Sequence, residues 1–312
     1  MSNNSLVSIL PFIDNEELIR DIIENEIIEI YFQPIISFRT NSIYGFEALT
    51  RCTYKNNKIS PFLLFKLAKE YNLLIELDKL TLLKSIKKFE NYYFKNKNLK
   101  LFLNFESSLI NNFREKEDRK YDFINLINDL DIPHTSFIIE IKEDKIEDTL
   151  SLKSFCETFK NLGFLIALDD FGTGNSTFDR LNIVHPDLIK IDKSLFFNIE
   201  NNDINEQIVS AITKMSSNLG IKVLAEGVEK EESILKSLKF GINLYQGFYF
   251  FKPSFNVTQD DSRIISSKIL ETGRRFKVKT IDSINKKRKK INNYIEISEK
   301  IIQEFSDIKQ TE

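Results

Sequence analysis

The feature that most constrains the fold is a regular alternation of short apolar runs with longer segments of helical periodicity. Eight runs rich in β-branched and aromatic residues have the length of strands. From the second run onward, a helical segment separates each run from the next, which predicts a parallel sheet. Eight strands in about 240 residues predict closure into a barrel. The predicted strands are 28–33, 43–47, 101–105, 137–141, 164–169, 188–192, 222–225 and 247–251, and the predicted helical segments are 60–92, 107–130, 145–162, 175–183, 203–219 and 230–240.

The first connection breaks this pattern. Only the short segment "PIISFRTNS" lies between the first two predicted strands. Because a parallel crossover needs roughly a dozen residues or more, we expect an antiparallel hairpin there. The predicted fold class is therefore α/β, a modified TIM (β/α)8 barrel with an antiparallel first strand and a C-terminal helical extension.

The C-terminal segment differs from the rest of the chain. It has no further strand pattern, and Ile291, Ile295, Ile302 and Phe305 recur at helical spacing beside the basic run 286–290. We interpret it as an amphipathic helix with a solvated charged face; the alternative is a docking surface for a partner or an anionic membrane. The predicted divisions are a leader at 1–15, a barrel at 16–254 and the helical extension at 255–312.

Composition limits the classes of partner. With 29% charged residues and a net charge of −2, the chain has the balance of an ordinary soluble protein, and no DNA or RNA polymer is expected to bind it. It has no apolar run of roughly 18 residues and no signal peptide, so we expect a cytoplasmic protein without a transmembrane segment. Cys52 and Cys156 lack metal-site spacing and are predicted to be free thiols.

Polar residues recur at the ends of the predicted strands. Barrel enzymes place their chemistry at the C-terminal ends of the strands. A single strand-end acid is more often a helix cap or a solvated turn residue. Recurrence on neighbouring strands instead predicts one shared site. The residues concerned are Glu47, Asn104, Glu140, Asp169, Asp170, Lys190, Glu226 and Gln246.

Charge predicts what such a site contains. Five carboxylates against one lysine carry about −4, which is costly in a partly desolvated mouth. Two divalent cations would balance this charge, and oxygen ligands suit Mg²⁺ or Mn²⁺ rather than Zn²⁺. His134 and His185 are not at these strand ends and are assigned structural roles. Paired metal ions are a common means of hydrolysing phosphodiesters, and Asp169 could bridge them while Asp170 binds one.

Seven short motifs carry a resemblance to a known family. In order along about residues 16–254, they resemble the motifs of EAL-domain cyclic di-GMP (c-di-GMP) phosphodiesterases. Each motif alone is weak, but seven in sequence are specific. They are "FEALTR" (46–51), "NFESS" (104–108), "EIKED" (140–144), "DDFGTG" (169–174), "KID" (190–192), "AEGVE" (225–229) and "QGFYF" (246–250).

The resemblance implies a bacterial enzyme that opens c-di-GMP to linear pGpG and so lowers the level of this second messenger. Lys190 resembles the family lysine that orients the attacking water, and with Glu226 and Asp169 it forms the implied catalytic set. The implied first metal site is Glu47, Asn104, Glu140 and Asp169; the second is Asp169, Asp170 and Glu226, the last either directly or through water.

Further positions are carried over from the same motifs. Arg51 is similar to an arginine that contacts a substrate phosphate, and Gln33 and Gln246 match positions near the substrate. Glu143 and Glu229 resemble residues that hold the "DDFGTG" loop and the metal ligands. The departures from the family pattern are Asn175, Thr177 and the sequence "NFE" after strand three, and none removes a ligand.

Two further readings stay open. The chain could be a catalytically weak receptor that binds c-di-GMP and acts through partner contacts, although such relatives typically lose metal-site residues. It could also form a homodimer, as related domains do.

Overall fold

The sheet closes on itself to form a barrel in this computed structural model, which describes residues 14–111, 124, 127–128, 130–142, 146, 148–172, 177–197 and 199–309. Around the barrel the strands follow the order β1-β9-β8-β7-β6-β5-β4-β2, and pairing of β1 with β2 closes the ring. The strands are β1 (Glu29–Ser37), β2 (Ser42–Tyr54), β3 (Asn57–Ile59), β4 (Lys100–Asn104), β5 (Phe137–Lys142), β6 (Leu165–Phe171), β7 (Leu188–Ile191), β8 (Lys222–Ala225) and β9 (Leu244–Tyr245).

The direction of the strands agrees with the sequence. Strand β1 is antiparallel to both β2 and β9, whereas β2, β4, β5, β6, β7, β8 and β9 run parallel. The predicted modified barrel with a reversed first strand is thus confirmed. Strand β2 is longer than predicted because it continues past the barrel and forms a hairpin with β3, in which Cys52 pairs with Ile59.

The helices begin at recognisable caps. Ser60 accepts a hydrogen bond from the backbone of Leu63, and Pro61 occupies the first helical position. Asp148 and Asn202 cap two further helices in the same way. The described helices are α1 (Asn15–Glu24), α2 (Pro61–Glu70), α3 (Leu74–Tyr93), α4 (Ser107–Ile110), α5 (Thr149–Asn161), α6 (Thr177–Val184), α7 (Lys193–Phe196), α8 (Asp203–Asn218), α9 (Glu231–Ser237) and α10 (Gln259–Lys309), with 3₁₀ turns at His134–Ser136 and Leu238–Phe240.

The eighth barrel strand lies before the run that we predicted. Residues 247–250 form a bend and a turn, and the strand is β9, so Gln246 follows this strand rather than preceding or entering it. Gly247 sits so close to Val228 that a Cβ atom would collide with the Val228 backbone. Phe250 is buried there. In the aromatic run that suggested a strand, Phe250 therefore packs into the core from a turn.

The core consists of three clusters, one of which packs α1, α2 and α3 against the β2–β3 hairpin. A large cluster lies between the sheet and the surrounding helices, and a smaller one is built from β1, β4, β5, β6, β7, β8 and β9. Side chains from so many strands can meet only inside the barrel, as in packed barrels generally. Cys52 and Cys156 are free thiols, as predicted, and both are buried. His134 stacks on Phe164, with its ring nitrogens near Leu162 O and Asn128 Oδ1.

Helix α10 is the predicted C-terminal helix. Its first turns pack on the barrel through Ile265, Ile269 and Thr272, which are buried. Thr272 Oγ1 and Arg275 Nη1 donate hydrogen bonds to Glu231 at the start of α9. Residues 281–294 are all exposed. The division of the chain near residues 15 and 254 stays a prediction. Among the residues that the structure describes, no helix has the length and apolar character needed to cross a membrane.

Candidate active site

A two-residue spacing aims the strand-end polar residues into the barrel mouth. In a strand, residues i and i+2 lie on the same face. Six of the polar residues follow an interior apolar residue by two positions, so they lie one layer above the packed interior of the barrel. The pairs are Phe102 and Asn104, Ile138 and Glu140, Ala167 and Asp169, Leu188 and Lys190, Leu224 and Glu226, and Leu244 and Gln246.

Lys190 lies at the centre of this layer. Its Nζ atom is 2.7 Å from Glu140, 2.7 Å from Glu226 and 2.9 Å from Asp169, and 3.8 Å from Glu47. The lysine side chain is only 1% exposed. Burial by itself lowers a lysine pKa, but the surrounding carboxylates outweigh it and raise the pKa of Lys190 well above its ordinary value. The lysine is therefore charged at neutral pH.

The ammonium group of Lys190 affects the pKa values of the surrounding carboxylates to different extents. Burial raises the pKa of Glu140 well above its ordinary value and that of Glu226 to about 8. Burial also acts on Asp169, but the ion pair with Lys190 outweighs it and leaves the pKa of Asp169 lowered. One lysine thus does not compensate the whole group, and the mouth has negative charge in excess.

The backbone of β6 explains how adjacent carboxylates serve one site. Side chains at neighbouring strand positions normally point to opposite faces. Here the register between β6 and β7 shifts between Leu168 and Phe171, and Asp170 adopts a left-handed φ of 56°. Bulges of this kind redirect side chains, and aspartate tolerates positive φ better than most residues. As a result, carboxylate oxygens of Asp169, Asp170 and Glu226 lie within 4.8 Å of one another.

The donor set fits divalent cations. Apart from the ammonium group of Lys190, the side chains that converge here carry carboxylate and amide oxygens, the ligands that Mg²⁺ and Mn²⁺ prefer. In addition, Glu140 Oε2 is buried without a hydrogen-bond partner in the described part of the chain. A buried carboxylate oxygen without a partner is costly unless a cation or a donor reaches it. The Asp169, Asp170 and Glu226 group is the same set that the resemblance assigned to a second metal.

Amide side chains complete the rim of the layer. Gln246 Nε2 donates hydrogen bonds to Gln33 Oε1 at 3.1 Å and to Glu47 Oε2. Asn104 Nδ2 donates to Glu47 Oε1 at 3.3 Å, and Gln33 Nε2 donates to Phe251 O at 3.4 Å. Strand pairing sets this arrangement, because Gln33 on β1 lies directly opposite Glu47 on β2. Glu47 is thereby held between two amide residues.

Comparison with known proteins places this arrangement in a family. Residues 15–253 match the model of the EAL domain. The chain belongs to the EAL domain family. Its relatives include the signaling protein YkoW of Bacillus subtilis, 30% identical over 247 residues, and the cyclic di-GMP phosphodiesterase PdeA of Borreliella burgdorferi, 29% identical over 234 residues. These matches cover 77% and 74% of the chain, which spans only 30% and 34% of the two relatives.

A solved structure agrees with this placement. The standalone versatile EAL protein from Vibrio cholerae O395, in its c-di-GMP bound form, is 30% identical with a TM-score of 0.63. The match covers 73% of this chain and 92% of that one. The likeness therefore extends over almost the whole of a single EAL domain.

Arg51 lies away from the carboxylates of this EAL domain. It is four residues after Glu47 on the same face of β2, so their Cα atoms are about 13 Å apart. Its Nη1 atom donates to Thr50 O at 2.8 Å, and its guanidinium lies 5.7 Å from the centre of the Tyr31 ring. A cation is thus present above the mouth. Its contact with a substrate phosphate stays a prediction.

Two further residues, Glu143 and Glu229, are assigned by the resemblance to holding the loop and the metal ligands. Glu229 is exposed in the segment after β8, and its assigned role stays a prediction. Glu143 lies outside the described residues, as does the loop position Asn175. Phe105, in the departing "NFE" sequence, packs against Phe155 and Phe159 at ring distances of 5.5 and 5.9 Å. This departure from the family pattern therefore contributes to the core.

Sequence reasoning missed Lys142. Its Nζ atom is 3.9 Å from Asp170 Oδ2, and both side chains are 40% exposed. Burial raises the pKa of Asp170, Asp169 raises it further, and Lys142 opposes the change. Lys142 follows Glu140 by two positions on β5, so the same two-residue spacing could have found it.

Proposed function

We propose that this EAL domain hydrolyses c-di-GMP to linear pGpG with two divalent cations, Mg²⁺ or Mn²⁺. The observation that carries the proposal is the convergence of acidic side chains from separate strands around Lys190. The family and its named phosphodiesterases support the substrate. A cytoplasmic location is part of the same proposal.

The residues of the mouth divide into two cation-holding groups. Glu47, Asn104, Glu140 and Asp169 would hold one ion, and Asp169, Asp170 and Glu226 would hold the other. Bound there, the ions would supply Lewis-acid polarisation of the phosphodiester and activation of a water molecule.

The remaining polar residues act on substrate and water. Lys190 keeps its proton and presents a positive charge from the floor of the mouth, where it can orient the attacking water and offset charge in the transition state. Arg51 has a planar guanidinium suited to a phosphate group. Gln33 and Gln246 present amide groups at the rim and would position the substrate.

The test is direct. Purified protein is incubated with c-di-GMP and Mg²⁺ or Mn²⁺, and linear pGpG is measured with and without a chelator. Metal-dependent accumulation of pGpG is expected. Tight binding of c-di-GMP without any product would instead support the receptor function and refute hydrolysis.

A further inference from the structure

The distal half of α10 has apolar residues that the barrel does not cover. Ile281, Ile284 and Ile291 are 56%, 47% and 56% exposed. The helix is 51 residues long, far more than an average globular helix. Most helix stability in proteins comes from packing of an apolar face, and an amphipathic pattern of this length is typical of a coiled coil.

Six of the apolar residues in this half of the helix follow a seven-residue repeat. Counted from Ile281 in alternating steps of three and four, eight positions form one stripe, called here the heptad stripe. Six of the eight are Ile or Phe, and a spacing of about 3.5 residues is that of a coiled-coil seam rather than a single straight helix. The stripe comprises Ile281, Ile284, Arg288, Ile291, Ile295, Ser298, Ile302 and Phe305.

Charge decides the orientation of a partner helix. Residues 274–290 contain nine basic residues and one acidic residue, a net charge of +8, whereas residues 295–309 contain four acidic and two basic residues, a net charge of −2. A parallel pair would place the two basic segments, and the two Arg288 side chains, against each other. An antiparallel pair places the basic segment of each helix along the acidic segment of the other.

We propose that the distal half of α10 forms an antiparallel two-stranded coiled coil with the same helix of a second copy of this chain. Centred between Ile291 and Ile295, the pair stacks apolar residues on apolar residues in every layer except one. That layer joins the two polar positions. The layers are Ile281 with Phe305, Ile284 with Ile302, Arg288 with Ser298, and Ile291 with Ile295.

The pairing also fits the place where α10 leaves the barrel. At Arg275, whose guanidinium binds Glu231, the helix is still in contact with the barrel. In the antiparallel pair, the two Arg275 positions are about 54 Å apart at 1.5 Å per residue. The two barrels thus sit at opposite ends of the coiled coil.

The first experiment measures the molar mass of the full chain by sedimentation equilibrium. We expect a dimer, and we expect Ile284→Asp combined with Ile291→Asp to raise its dissociation constant on the order of 100-fold or more because buried isoleucines are lost. The control, Ser283→Asp with Asn293→Asp, adds the same charges off the stripe and should leave the dimer intact. A monomeric wild type, or a double Ile→Asp variant that stays dimeric, would overturn the proposal.

The second experiment fixes the orientation. Under mild oxidation, a mixture of Ile284→Cys chains and Ile302→Cys chains should cross-link, while neither variant alone should do so. The native cysteines are buried and do not interfere. Self-cross-linking of either variant would overturn the antiparallel arrangement. A monomer that binds vesicles containing phosphatidylserine would assign the helix to a membrane surface instead.

Discussion

The barrel mouth buries more negative charge than its lysine compensates. The distal half of α10, by contrast, exposes apolar side chains that no other element of the described chain covers. Lys190 is 1% exposed among four carboxylates, and Ile281 is 56% exposed on a helix with no covering element in the described chain. Each region would be costly if left alone. Excess negative charge indicates small cations as the partner of the mouth, and exposed apolar surface indicates another helix with an apolar face as the partner of α10.

The substitution Asp169→Asn tests whether the barrel mouth binds divalent cations, and it should have the largest effect. This side chain belongs to both proposed cation groups, so its loss should reduce turnover on the order of 1,000-fold or more and weaken Mn²⁺ binding. Formation of pGpG and calorimetric titration of Mn²⁺ measure the two effects. Asp179→Asn, an exposed acid on α6, is the matched control. Full turnover in Asp169→Asn would show that the mouth is not a metal site.

Lys190→Ala tests the internal cation. We expect kcat to fall on the order of 100-fold with a smaller change in KM, because the lysine acts on charge that develops in the transition state. In chelator, the melting temperature should also fall, since buried Glu140 and Asp169 lose their only described ion-pair partner at close range. An unchanged kcat would remove Lys190 from the mechanism.

Asp78→Asn tests what happens to a buried carboxylate outside the mouth. Burial and nearby Glu106 raise the pKa of Asp78 to about 8. Between its ordinary pKa and this value, the folded state holds a proton that the unfolded state has released, so the free energy of unfolding falls as pH rises. Asp78→Asn removes this dependence.

We therefore expect Asp78→Asn to gain about 1–2 kcal/mol over wild type between pH 5.5 and 7.5, measured by urea unfolding. The control is Glu76→Gln, which changes an exposed acid on the same helix. It should leave the pH dependence of the free energy of unfolding the same as in wild type. Equal pH dependence in wild type and Asp78→Asn would show that Asp78 is ionised in the fold.

The smallest effect is expected from Lys142→Met. Its ammonium group pairs with Asp170 at 3.9 Å and competes there with a bound cation. Because a partly exposed ion pair is weak, divalent-cation affinity should increase by less than about 5-fold. Weaker Mn²⁺ binding in this variant, measured by the same titration, would mean that Lys142 supports the site rather than competing with it.

Much of the barrel could be predicted because apolar and polar side chains alternate along a strand with a period of two residues. The same two-residue period that marks Leu188 as interior also aims Lys190 into the mouth. Strand β9 could not be placed, since two residues show no period and the aromatic run after Gln246 gave a stronger but misleading signal. The two-residue period could have placed Lys142 at the mouth, but the position of its partner Asp170 depends on the left-handed backbone there, which no residue pattern indicates. The roles of individual ligands are still predictions.

The bulge at Asp169 and Asp170 has a consequence for how this site can change over time. Loss of one residue from the doublet would restore regular hydrogen bonding between β6 and β7, and regular alternation would turn the neighbouring side chain outward. The distance between the two carboxylates therefore depends on the number of residues in this part of β6. Deletion of a single residue here would therefore separate the two acidic groups even though both kinds of side chain remain available in the chain.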